Sequence, residues 1–201
     1  IVAIGVGAAR SPLYAGLIAA ALLGIAVAAA LWWSYFDWVA FVAQARLAEA
    51  TGAERAALAR DLYSYLHLPM VAGIVLFALG LKTTLAHVGG SLSTITALGL
   101  CGGIALYLLA HVALRLRIGG GLGRGRPIAT ILLLGFLPFA PAVPAIAALG
   151  VVAAVCAGLI AYEALRYPQA RAWIRSRRGA FTMDEASRIA QTRGRARRPR
   201  A

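Results

Sequence analysis

Leu62 to Leu81 carry no Asp, Glu, Lys or Arg, and these twenty residues lie between Asp61 and Lys82. A helix of that length, at 1.5 Å per residue, reaches ~30 Å, the thickness of the hydrocarbon core of a bilayer. From Arg60 the stretch reads RDLYSYLHLPMVAGIVLFALGL. Its first turns carry Tyr63, Ser64, Tyr65 and His67, Pro69 follows, and Met70 to Leu81 is uncharged. It predicts a transmembrane helix with one polar, aromatic end, and the rest of the chain can be placed by asking which side of the membrane that end faces.

Four more runs have the same character: Leu13 to Trp33, Leu92 to Leu114, Pro127 to Ala140 and Ala145 to Tyr162. Together they make 61% of the 201 residues hydrophobic, against roughly 45–50% in an ordinary soluble domain. The expected fold is therefore an all-α, polytopic membrane bundle of about five full spans. The opening IVAIGVGAA reads as the last turns of a truncated sixth helix, since neither a basic flank nor a cleavage site accompanies it. The expected organisation is a bundle over residues 1–165 and a basic, mostly disordered tail over 166–201, in which Thr182 and Glu185 offer a capping box for one short helix.

Spacing within the runs predicts how they pack. Gly16, Ala20, Gly24 and Ala28 recur every four residues, as do Gly99, Gly103, Tyr107, His111 and Arg115. Small residues at that interval let helix backbones approach closely, and in the second series contact between glycines gives way to polar groups at one end. Between the first two spans, Val39 to Arg60 reads as helix continuing into water, with a short connection at Thr51-Gly52. Gly119 to Arg126 reads as a flexible basic turn. Pro138, Pro141 and Pro144 should break the last two runs into a tight hairpin whose first arm is short. Cys101 and Cys156 each lie in an apolar run, where a cysteine behaves as a small buried hydrophobe.

The net charge of +13 would suggest nucleic acid on a soluble protein, but here the basic residues sit in loops and in the tail. If the spans alternate, 18 of the 20 Lys and Arg residues fall on one face and only Arg10 and Lys82 on the other. That bias predicts an inner-membrane protein with a cytoplasmic C-terminus. The tail holds eleven arginines against Asp184 and Glu185, and Arg171, Arg175, Arg177 and Arg178 are its candidate contacts to anionic lipid headgroups.

The LWWSYFD box at Leu31 to Asp37, the SYLHLP box within Arg60 to Lys82, the run CGGIALYLLAHVALR at Cys101 to Arg115 and the opening IVAIGVGAA together resemble the bacterial low temperature requirement A family over about the first 165 residues. The resemblance implies a multi-helix bacterial inner-membrane protein of which this chain is the C-terminal half, so that a missing N-terminal half would be one of its partners. The family's acidic-aromatic N-terminal region and its Gly-Glu-Ser before IVAIG are not present in this sequence. The family brings no agreed substrate or reaction.

Depth along the spans selects a candidate site. Asp37, His67, His111 and Glu163 come from different helices, yet all fall near the cytoplasmic boundary, and Tyr63 shares a face with His67. For His111 and Glu163 the ordinary reading is reach into headgroup water. Asp37 and His67 could instead relay protons or hold a polar solute, particularly as Pro69 disrupts the backbone bonding beside His67. No nucleophile with a paired base and no metal-ligand set stands out, so enzymatic activity, cofactor and metal are not expected. Two functions are expected to compete: a transporter- or channel-like protein for a small solute or ion, or a structural or sensory membrane protein whose tail binds lipid.

Overall fold

The computed structural model describes residues 14–36 and 40–166. Contacts group residues 1–163 into one unit and 164–201 into another, and the features below belong to the first. In chain order the elements are α1 (Ala15–Ser34), α2 (Ala40–Glu49), α3 (Gly52–Arg60), a wide π turn (Asp61–Tyr65), α4 (His67–Ala86), the short α5 (Thr94–Ala97), a second π turn (Leu98–Gly102), α6 (Gly103–Arg117), α7 (Gly125–Phe136), a 3₁₀ turn (Ala140–Ala142) and α8 (Ala145–Arg166). Among the described residues four helical segments are long and apolar enough to cross a membrane: Ala15–Ser34, Gly52–Ala86, Thr94–Arg117 and Ala145–Arg166. An all-α membrane bundle is therefore the architecture.

The fifth expected span departs from regular helix. α7 has 12 residues, or about 18 Å at 1.5 Å each, and ends at Phe136. Prolines 138, 141 and 144 cannot donate to a ladder, so the chain continues in three-residue turns, with Phe139 N bonded to Phe136 O at 2.9 Å and Ala142 N to Phe139 O at 3.0 Å. Those bonds occupy donors that a proline-broken helix would otherwise leave bare inside a membrane.

Two crossings show how the predicted small-residue series pack. At the first, α4 meets α6 through glycine: a Cβ placed on Gly73 would lie 2.5 Å from Gly103 O, and one on Gly103 would lie 2.7 Å from both Gly73 O and Phe77 N. A Cβ on Gly80 would sit 2.7 Å from Leu100 N. The Gly99 and Gly103 series is thus a backbone-to-backbone contact, with Leu100, Ile104 and Leu108 fully buried around it. The second crossing sets α1 on α4, and it differs from the predicted small-residue stripe. Leu17, Ala20, Gly24, Val27, Leu31 and Ser34 are buried, whereas Gly16 and Ala28 are only half-buried. Larger side chains alternate with small ones along that face, so this helix packs less closely.

The connection after α1 follows the sequence reading. α2 and α3 are separated by Ala50 and Thr51, and Gly52 has φ 54°, a left-handed conformation that favours glycine. At the C-terminal end of α6, Gly119 takes φ 79° while Gly120 N bonds Arg115 O at 2.9 Å, which closes the helix. Cys101 and Cys156 are both free and buried.

Ends of the bundle can be matched by their contacts. Ala145 N bonds Gly90 O at 2.8 Å, Ile146 N bonds Val88 O at 3.1 Å, and Ser91 pairs with Pro144, which puts the α4–α5 loop and the α7–α8 turn together. Arg117 Nε bonds Asp61 Oδ2 at 2.8 Å, and Arg126 bonds both Ser34 and Glu163, which collects residues 34, 61, 117, 126 and 163 at the other end. Successive spans therefore run in alternating directions, as the charge count assumed.

Candidate functional site

The last turn of α1 supplies carbonyl oxygens to groups arriving from other helices. Leu31 O accepts the Tyr35 N–H and also the Tyr107 hydroxyl of α6, at 2.7 Å. One turn along, Ser34 O accepts from Arg126 Nη2 at 3.1 Å. The last carbonyls of a helix carry its negative dipole end, so a guanidinium and a hydroxyl suit that position, Leu31 O taking the hydroxyl in addition to its intrahelical bond.

Arg126 reaches there because α7 starts at Gly125. Pro127 occupies the first turn, where its missing N–H is not needed, and Thr130 Oγ1 bonds back to Arg126 O at 2.9 Å. The arginine side chain folds into the bundle with 7% of its surface exposed, and its Nε donates to Glu163 Oε1 of α8 at 3.0 Å. Three helices are thus joined through one guanidinium. Removing either partner of a buried ion pair strands the other charge, typically at about 3–5 kcal/mol.

Beside this pair lies a ring cluster. His111 is fully buried, 4.3 Å from Tyr107 between ring centroids, and its Nδ1 is 2.9 Å from Tyr107 O. Tyr35 sets its ring edge-on to His111 at 6.1 Å and to His67 at 5.7 Å, and so bridges the two histidines. Two buried side-chain atoms here, His111 Nε2 and Arg126 Nη1, have no hydrogen-bond partner among the described residues. A groove of about 340 Å³ between α1 and α4 begins at the same rings, with Tyr35, His67 and Tyr107 at one end and Ile74, Ala78 and Leu81 among the residues deeper along it.

The predicted site residues separate into groups. His67 and His111 come together through Tyr35, whereas Glu163 is tied by Arg126 to Ser34 O, next to Tyr35 at the end of α1. The expectation that His111 reaches headgroup water does not hold, because neighbouring helices enclose it, whereas Glu163 keeps 19% of its side chain exposed while bonding the buried Arg126. Tyr63 is 46% exposed on the bundle surface. Asp37 lies outside the described residues, as do Arg171, Arg175, Arg177, Arg178 and the Thr182–Glu185 capping box. Pro69 acts as expected on the backbone near His67: its ring and missing N–H disfavour a regular turn, and the chain widens so that Leu66 N bonds Asp61 O at 2.9 Å.

Arg126 is the residue that sequence reasoning misses, because Gly119 to Arg126 reads as a flexible turn and the helix in fact starts at Gly125. The available signal was its place directly before Pro127 at the head of an apolar run, where an arginine sits in a first helical turn. Among the described residues no group of three or more His, Cys, Asp or Glu side chains is arranged to hold a metal ion.

Residues 1–161 match the family model for bacterial low temperature requirement A protein (LtrA). No curated protein and no solved structure matches the chain.

Proposed function

Given that the chain belongs to the bacterial low temperature requirement A family of multi-pass membrane proteins, we propose that it works as a transporter- or channel-like protein whose pathway includes the polar cluster of Tyr35, His67, Tyr107, His111, Arg126 and Glu163. The observation that carries this reading is the unspent hydrogen-bonding capacity of Arg126 and His111 at a buried position. A purely structural ion pair in a membrane protein gains from having every polar atom satisfied, because each bare group costs several kcal/mol in hydrocarbon. Intramembrane ionisable residues that keep free polar atoms are the kind that line solute and ion pathways.

The proline-broken segment from Leu137 to Pro144 is the part of this pathway best suited to move. Its backbone is held by three-residue turns instead of a continuous ladder, and it follows directly on the helix that carries Arg126. The basic ends of the spans face the cytoplasm of a bacterial inner membrane, with the arginine-rich tail beside anionic headgroups at about 1 kcal/mol for each close basic residue. Solute flux into proteoliposomes holding the full-length protein tests the proposal. Entry of small polar solutes above the rate of empty vesicles supports it. Vesicles as tight as empty ones to charged and neutral solutes alike would leave the structural or sensory role.

A further inference from the structure

We infer that this cluster binds a singly charged oxyanion together with one proton, the oxyanion accepting from Arg126 Nη1 and the proton settling on His111 Nε2. The inference rests on the pathway reading above and names its substrate class.

The geometry defines what each atom can do. A guanidinium has five N–H donors. Nε of Arg126 is spent on Glu163 and Nη2 donates to Ser34 O, whereas Nη1 meets no acceptor although the side chain is only 7% exposed. For His111 the partner of Nδ1 is the Tyr107 carbonyl, which can only accept. Nδ1 therefore carries the hydrogen, and in the neutral ring Nε2 is a bare lone pair with no donor aimed at it. The site thus offers one donor on a fixed positive charge and one acceptor able to become a donor.

Charge then selects the ligand. Arg126 and Glu163 neutralise each other, so an arriving cation meets no uncompensated negative charge. An oxyanion finds Nη1, and the negative charge that it adds is cancelled when Nε2 takes a proton from the aqueous phase. Occupied in this way the site stays neutral overall, which a low-dielectric surrounding favours. Among the described residues the groups facing His111 are Tyr35 at the end of α1, His67 from α4, Tyr107 from its own helix and Arg126 from α7, with Glu163 of α8 one hydrogen bond further away. None of these but Glu163 brings a negative charge, and Glu163 is already held by Arg126. Among the described residues no other anion faces His111, and an arriving oxyanion would hold the protonated ring. A free carboxylate or phosphate and a phospholipid headgroup share this chemistry.

Ring-¹⁵N histidine NMR on the full chain in uncharged detergent tests the inference, since the protein has three histidines and His111→Gln assigns the signal in question. Without ligand, His111 should show the neutral Nδ1–H form. Sodium acetate, compared with equal sodium chloride, should raise the midpoint of its conversion to the doubly protonated ring by about one pH unit, a tenfold change in proton affinity. Arg126→Gln should abolish that shift, as should the doubly neutral Arg126→Gln/Glu163→Gln, which strands no charge if the single variant fails to fold. Conversion by phosphatidylglycerol but not by acetate or inorganic phosphate would keep the site and assign it to lipid. An Nε2–H tautomer at the start, equal effects of acetate and chloride, or conversion that persists without Arg126 would each overturn the inference. Flux without ring protonation would sink the oxyanion site alone, and ring protonation without flux would sink the pathway alone.

Discussion

Gly73→Ala perturbs the closest approach in the bundle. The added methyl would sit 2.5 Å from Gly103 O and 2.9 Å from Tyr107 N, and neither backbone atom can rotate away. Ordinary contact begins near 3.4 Å, so α4 and α6 must separate locally by about 1 Å. A gap of ~0.5–1 Å forfeits a quarter to a half of the dispersion energy of the atoms that line it, and overpacked cores lose about 1–3 kcal/mol. Alanine returns up to ~1 kcal/mol through helix propensity, which leaves an expected net loss of about 1–2 kcal/mol. Gly150→Ala is the control, because a Cβ there meets nothing within 4 Å, and it should be neutral or slightly stabilising. Denaturant unfolding in mild detergent, followed by helical circular dichroism, measures both. If Gly73→Ala proved as stable as Gly150→Ala, the close crossing would be refuted.

Three further outcomes are expected. Cysteines placed at Gly89 and Gly121, both exposed, should react with an impermeant maleimide from the periplasmic and cytoplasmic sides respectively, over a silent background from the buried Cys101 and Cys156; reaction of both from one side would contradict the alternating topology. Tyr107→Phe should cost about 1 kcal/mol in the same unfolding assay, since it removes one buried hydrogen bond but leaves Leu31 O bonded to Tyr35 N, and a loss above ~3 kcal/mol would mean the hydroxyl has a larger role. Asp37→Asn and His67→Gln should damage function little more together than singly if the two act as one unit, whereas strictly additive losses would make them independent boundary groups.

The sequence disclosed most of this fold because hydropathy and length are local properties, and a twenty-residue uncharged run has few structures open to it in a bilayer. The α4–α6 contact was legible for a related reason: glycine at every fourth residue has a direct geometric meaning on a helix, and the same face carries on to Tyr107 and His111. The site was only half legible. His67, His111 and Glu163 could be placed by depth, but their grouping depends on Tyr35 bridging the two histidines and on Arg126 tying α1 to α8, and both are tertiary facts. Arg126 in particular resembles every other loop arginine until the helix start at Gly125 and the carbonyl of Ser34, 92 residues away, are known. The stripe predicted on α1 failed in part because abundant alanine makes a four-residue interval uninformative about which side packs.

The measurement closest to the central claim compares flux through wild-type protein with flux through Arg126→Gln/Glu163→Gln in proteoliposomes. The double variant removes both charges at once, so it avoids stranding either one and should fold about as well as wild type. The account predicts that wild-type vesicles pass small carboxylates faster than empty vesicles, with proton uptake, and that the double variant falls to the empty-vesicle rate while keeping its helical content. Wild-type flux in the double variant would show that the buried pair only fastens helices together, and would contradict the claim that the cluster lies on the path.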